Sequence, residues 1–292
     1  MKQIFILLMV AMCATMFTAC SKDDDKNPLD DNGGNGSKEG MITMIAEDDK
    51  IKVNIETFNE GDIITIDWGD GDMEEFKSVE EYYEEDEIHY VISIDSYVEH
   101  EYSNRNPHII TIKGKISEFC QGEGSWYNNI TSLNVSKCPA LTVLDCAGNN
   151  LTSLDVSKNT ALTALYCKGN NLTSLDISKN TALTELGCWS NNLTSLDVSK
   201  NTALTYLDCR NNKLTSLDVS KNTALTRLDC EDNKLTSSAL NQIFRDLPQG
   251  KTWTEGHGRT EQSSIIIYDN PGSNTCDKSI AENKGWEVNT IW

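Results

Sequence analysis

The chain has 292 residues, enough for two domains, with 38% hydrophobic and 24% charged residues. Its 45 acidic against 25 basic residues give a net charge of −20, which repels nucleic acid and anionic lipid headgroups and argues against either as a partner. This is the composition of an acidic globular protein, not of a disordered or collagen-like one.

Lys2 precedes an apolar run from Ile4 to Phe17, and about 14 residues suit a secretory signal but fall short of the roughly 20 that span a bilayer. Residues 1–19 are therefore expected to be removed. The run closes on Phe17-Thr18-Ala19-Cys20, which resembles the lipobox of bacterial lipoproteins, with Phe17 where that motif usually has Leu. The resemblance implies acylation of Cys20 and attachment to the membrane through that lipid alone; the alternative is plain secretion with Cys20 in a disulfide. Ser21-Lys22-Asp23-Asp24-Asp25 resembles the signal that sends some Gram-negative lipoproteins to the outer face of the outer membrane, although a solvated linker would look the same. Residues 20–40 have too few apolar side chains to offset their ordering entropy, so they read as a flexible acidic tether.

Residues 41–117 read as β, with 21 acidic residues against 6 basic ones between Met41 and Glu118. Strands are expected at Met41 to Ala46, Lys50 to Phe58, Asp62 to Trp68, Ile88 to Ile94 and His108 to Ile112, from β-branched composition and partial period-two alternation. Asp67-Trp68-Gly69-Asp70-Gly71, followed later by His100-Glu101-Tyr102 and Ile109 to Ile112, resembles the PKD domain, an immunoglobulin-like β-sandwich. That resemblance implies a spacer or presenting module. Asp67, Asp70 and Asp72 are possible calcium ligands, but Asp and Gly at these spacings are what a tight turn needs.

Residues 118–237 repeat every 21 residues. Leu144, Leu165, Leu186, Leu207 and Leu228 form one column, Cys146, Cys167, Cys188, Cys209 and Cys230 a second, and Asn149, Asn170, Asn191, Asn212 and Asn233 a third. Each unit reads Leu-x-x-Leu-x-Cys-x-x-Asn-x-Leu, the leucine-rich-repeat pattern with Cys at the second strand position, most similar to the short internalin-like class. A solenoid follows, with parallel strands, inward aliphatics, an Asn column satisfying backbone groups at each turn, and a return segment with little helix. Ser157, Lys158, Asn159 and their counterparts on the return are expected to be exposed. Gly114 to Asn129 should join the array to the sandwich. Residues 238–292 should cap it: a helix begun by Ser238 and stopped by Pro248, a degenerate repeat at Ile265-x-Ile267-x-x-Asn270, and a final short helix.

The fold class is thus a β-rich two-domain protein, a PKD-like sandwich followed by a leucine-rich-repeat solenoid with short capping helices. No catalytic residue, cofactor or metal is assigned. A single file of cysteines cannot surround a tetrahedral zinc. His89, His100, His108 and His257 stand in no catalytic motif, and the outward Asp145, Asp208 and Asp229 are a weak case for paired-carboxylate hydrolysis. The outward strand positions differ between units while the return segment hardly changes, so the concave face is the expected binding surface, with Tyr166, Trp189, Tyr206 and Arg210 central and Lys168, Glu185 and Arg227 around them. The reading is a monomeric, non-catalytic binding or adhesion lipoprotein at the cell surface, with a protein or other macromolecular ligand. Alternatives are a glycan-binding accessory of a nutrient-uptake system and, further off, a surface hydrolase.

Overall fold

A computed structural model describes residues 39–85, 87–93, 98–120, 128–254 and 260–290. The expected signal at residues 1–19, Cys20, nearly all of the expected tether and His257 lie outside them. In chain order the elements are β1 (Gly40–Ala46), β2 (Lys50–Thr57), β3 (Ile63–Asp67), β4 (Met73–Lys77), β5 (Val79–Glu85), β6 (Glu87–Ser93), β7 (Val98–Glu101), β8 (His108–Gly114), β9 (Ile116–Cys120) and β10 (Ile130–Lys137). Then come β11 (Val143–Asp145), β12 (Ala164–Tyr166), β13 (Glu185–Gly187), β14 (Tyr206–Asp208), β15 (Arg227–Asp229), α1 (Ser237–Asp246), β16 (Thr252–Thr254), β17 (Thr260–Gln262), β18 (Ser264–Ile266), α2 (Ser279–Glu282) and β19 (Glu287–Asn289). Among the described residues no helix is long and apolar enough to cross a membrane.

The N-terminal region forms two sheets over one core. One runs β10-β1-β8-β3-β4; in the other β9, β2, β6 and β5 are neighbours, with β7 also paired to β2. Strict alternation in β1 buries Ile42, Met44 and Ala46, and in β2 Ile51, Val53 and Ile55, each strand giving one face to the core. Strands β4, β5 and β7 were not expected from sequence because they are too acidic to read as sheet, β9 lies in the expected connector, and β10, whose Ile130, Leu133 and Val135 were expected to open the solenoid, pairs antiparallel with β1 instead.

The solenoid holds its coils in unbroken register. Strands β11 to β15 pair in parallel, Leu144 with Leu165 and so on to Leu207 with Leu228, and β18 and β19 continue the series. The column leucines and cysteines are fully or almost fully buried. From Asn170 to Asn233 each repeat Asn donates through Nδ2 to the Cys carbonyl of its own coil and of the preceding one, as Asn170 does to Cys167 and Cys146, and Leu151 N–H donates to the Asn170 Oδ1. Asn270 extends this ladder to Cys230, so the degenerate C-terminal repeat is a true coil.

Three expectations need correction. The connector expected between Gly114 and Asn129 contains β9, which pairs with β2 on one edge and β11 on the other. One sheet therefore runs from β5 through the joint to β19, and the boundary expected between 117 and 118 falls inside β9. Leu144 pairs with Phe119, not with a residue 21 positions back, so the repeat period hid this strand. Second, Asn159, Asn180, Asn201 and Asn222 on the return are fully buried, each donating to two carbonyls, as Asn180 does to Val156 and Asn159. They form a second ladder, while Lys158 beside them is exposed as expected. Third, Thr236 and not Ser238 caps α1, its hydroxyl accepting from Ala239 N–H. The helix still buries Leu240, Ile243 and Phe244 against the last coils.

Candidate functional site

Within each coil the central Leu of the strand points inward, so by period two its neighbours point out onto the concave sheet. The parallel register stacks equivalent positions about 4.8 Å apart. Three outward columns result: Val143, Ala164, Glu185, Tyr206, Arg227; then Asp145, Tyr166, Gly187, Asp208, Asp229; then Ala147, Lys168, Trp189, Arg210, Glu231. All seven residues expected at the site lie on this face.

They are not equally available. Tyr166 is only 8% exposed, which corrects its reading as an exposed contact. It packs with Val143, Ala164 and Cys120, and its hydroxyl donates to the Glu185 carboxylate. Its ring lies over Gly187, where an added Cβ would stand 3.0 Å from Tyr166 Cδ1. The absent side chain at Gly187 is what lets this ring fold down. Tyr166 is thus the floor of the face.

Trp189 stands between two cations. Lys168 Nζ, from the preceding coil, lies 5.7 Å from its ring centroid, and Arg210 Cζ, from the following coil, lies 4.7 Å away. Arg210 also pairs with Asp208 at 3.5 Å and Asp229 at 3.2 Å. Tyr206 donates to Asp208 Oδ2 at 3.3 Å and carries Arg227 over its ring at 5.8 Å. Glu231 interacts with Tyr268 of the next coil.

The acids here have been withdrawn from water. Asp208, Asp229 and Glu231 are 2%, 6% and 8% exposed. Burial raises the Asp208 carboxyl to about 6 against the pull of Arg210. Burial, with Asp208 and Glu231 adding repulsion, raises Asp229 to about 7. Glu118 on β9 faces Glu56 across the strand pair, and burial first, then Glu56, pushes it up to about 8. Asp208 and Asp229 share the Arg210 guanidinium, an arrangement that fixes Arg210 over Trp189 rather than leaving a carboxyl free for proton transfer. Tyr268 and Glu118 belong to this surface yet were missed. Ile267 aligns with Cys230, which would have placed Tyr268 in the third column, whereas nothing in the period pointed to Glu118.

The acidic turn of the sandwich is wired internally. Asp67 accepts from Gly69 N–H, Asp70 accepts from Asp72 N–H, and His100 Nε2 lies 2.8 Å from Asp70 Oδ2. His100 stacks on Trp68, and Tyr102 donates to the Trp68 carbonyl. Gly69 has φ +81°, and a Cβ there would meet the Ile109 carbonyl oxygen at 2.3 Å, so the turn needs glycine. Among the described residues only Asp70, Asp72 and His100 group as possible metal ligands; Asp67 is not among them. Both Asp70 carboxylate oxygens already serve the turn, one accepting from Asp72 N–H and the other beside His100 Nε2. All eight described cysteines are free thiols, and burial pushes the Cys167 thiol up to about 12 and its column neighbours well above their usual value.

No family model and no curated protein matches this chain. Among solved structures, the functional domain of InlJ from Listeria monocytogenes, described as including a cysteine ladder, is 32% identical over 55% of this chain and 37% of that one, with a TM-score of 0.41. Internalin C2 from the same organism is 22% identical over 54% of this chain and 63% of that one, TM-score 0.42. Its internalin InlF is 17% identical over 54% and 43%, TM-score 0.44. The chain thus spans less than two thirds of each. Likeness at this level carries no information about a ligand.

Proposed function

We propose that this chain is a non-catalytic binding protein, displayed at the surface of the outer membrane on a lipid at Cys20, that recognises a protein ligand through the concave face of its solenoid. The observation that carries this reading is where the coils differ. Their inward and return positions repeat almost unchanged, whereas the outward columns bring Glu185, Tyr206 and Arg227 to one position and Lys168, Trp189 and Arg210 to another. Drift without a role would not select one face. Trp, Tyr and Arg are also the residue types that dominate interface energetics. The sandwich, PKD-like in its turn and strand motifs, serves as the presenting module between tether and solenoid.

The test sets a purified-protein array beside a glycan array, each probed with the mature chain and two variants. Protein hits should lose at least about 2 kcal/mol, roughly 30-fold, with Trp189→Ala, and should be unchanged with Lys179→Ala on the convex side. If both variants bind like the parent, the concave reading is wrong, and the sandwich or the insertion around β16 and β17 takes its place.

A further inference from the structure

We infer that the ligand segment held on the concave face is acidic, its carboxylates pairing with Lys168 and Arg227 while its chain crosses Trp189 and Tyr206. This rests on the reading of that face as the binding surface.

The chain as a whole is strongly negative at −20, yet on this face the central carboxylates lie at the floor and the cations stand above them. Asp208, Asp229 and Glu231 are buried, and of the two half-buried carboxylates, Asp145 and Glu185, the second already accepts from the Tyr166 hydroxyl, whereas Arg227 is exposed and Lys168 half-buried. Neither Lys168 nor Arg227 has an ion-pair partner among the described residues. Each is held instead against an aromatic ring. That contact positions a cation without neutralising it, so two full positive charges remain for a partner. Arg210 differs, being already matched by Asp208 and Asp229.

The occupant follows from shape as well as charge. A sugar ring stacks on an aromatic face, but Trp189 has a cation against it from the coil on either side. With two cations already against its ring, Trp189 suits a peptide side chain better than a stacked sugar. Lys168 and Arg227 are three coils and two columns apart, roughly 20 Å on the diagonal at about 4.8 Å per strand and 3.3 Å per residue. An extended segment of about six residues with an acid near each end spans that distance. Arg227 suits the bidentate geometry of a carboxylate.

The experiment pans a random peptide display library on the full mature chain, then measures the enriched peptides and polygalacturonate against the parent, Arg227→Gln, Lys168→Gln, Trp189→Ala and Lys179→Gln. Enriched peptides rich in Asp and Glu that lose tenfold or more on Arg227→Gln and on Lys168→Gln, but keep affinity for Lys179→Gln, support the inference. Non-acidic peptides that are still lost on Trp189→Ala overturn it while leaving the concave face as the binding surface. Peptides indifferent to every concave variant overturn both readings. Polygalacturonate binding tenfold tighter than any peptide replaces the acidic peptide with an acidic glycan. Because Arg227 is exposed and makes no ion pair among the described residues, its substitution leaves folding intact.

Discussion

Phe119 pairs in register with Leu144, and the same Phe119 pairs with Ile55 on its other side. All three are fully buried. One residue thus closes the first coil of the solenoid and the edge of the sandwich together. The two regions should therefore unfold as a unit. Phe119→Ala should cost about 3 to 5 kcal/mol and lower both halves in a single transition, followed by hydrogen exchange at β1 and at β13. A fragment beginning at Asn128 should aggregate, since it uncovers Leu144 and Val143; a stable, soluble fragment would show that the sandwich is not the solenoid's N-terminal cap.

Neighbouring residues on the return segment should behave oppositely. Asn180 is buried and satisfies two carbonyls, while Lys179 beside it is exposed. Asn180→Ala should cost on the order of 2 to 4 kcal/mol, because buried carbonyls lose their donor, and Lys179→Ala less than about 0.5 kcal/mol. Urea unfolding of the two variants measures the contrast.

Tyr166 and Gly187 form a matched pair on the concave floor. Gly187→Ala should force the Tyr166 ring to move and disturb its bond to Glu185, costing about 1 to 2 kcal/mol. In the Tyr166→Ala background, where the obstacle is gone, the same change should be nearly neutral. Additive costs would mean that the two positions are not coupled.

Stability should rise as pH falls from about 8 to about 5. Asp208 at about 6, Asp229 at about 7 and Glu118 at about 8 have folded-state values raised above their unfolded ones. The folded state therefore holds protons that the unfolded state releases in this window. Their contribution is full below the unfolded values near 4 and is lost as pH rises through the folded ones. Asp229→Asn should flatten part of this slope, on the order of 1 to 3 kcal/mol; an unchanged slope of melting temperature against pH in the variant would count against the assignment.

Thiol labelling should separate the cysteines by burial. In the folded chain a maleimide should reach the partly exposed Cys120 and Cys276 and spare the column from Cys146 to Cys230, whose thiolates are disfavoured by their apolar surroundings. Cys188→Ala should cost only about 1 to 2 kcal/mol as a small cavity in a dry core. Rapid labelling of Cys188 in folded protein would refute its place in the interior.

The sequence by itself determined the solenoid, because a period of 21 residues puts Leu, Cys and Asn at the same place in every coil and only stacking can bury them. It also determined which side chains face outward, through the alternation around each central Leu. What it could not determine was anything resting on contacts between distant segments. The strand at Ile116–Cys120 became visible only when Ile55 and Leu144 closed on either side of Phe119. The burial of Asn180 depended on carbonyls at Val156 and Asn159, up to 24 residues away. Tyr166, read as exposed from its column, was laid flat by a glycine in the next coil. Position on a face follows from local periodicity. Whether a side chain on that face is floor or contact depends on its neighbours across the sheet, and those are set by register and packing.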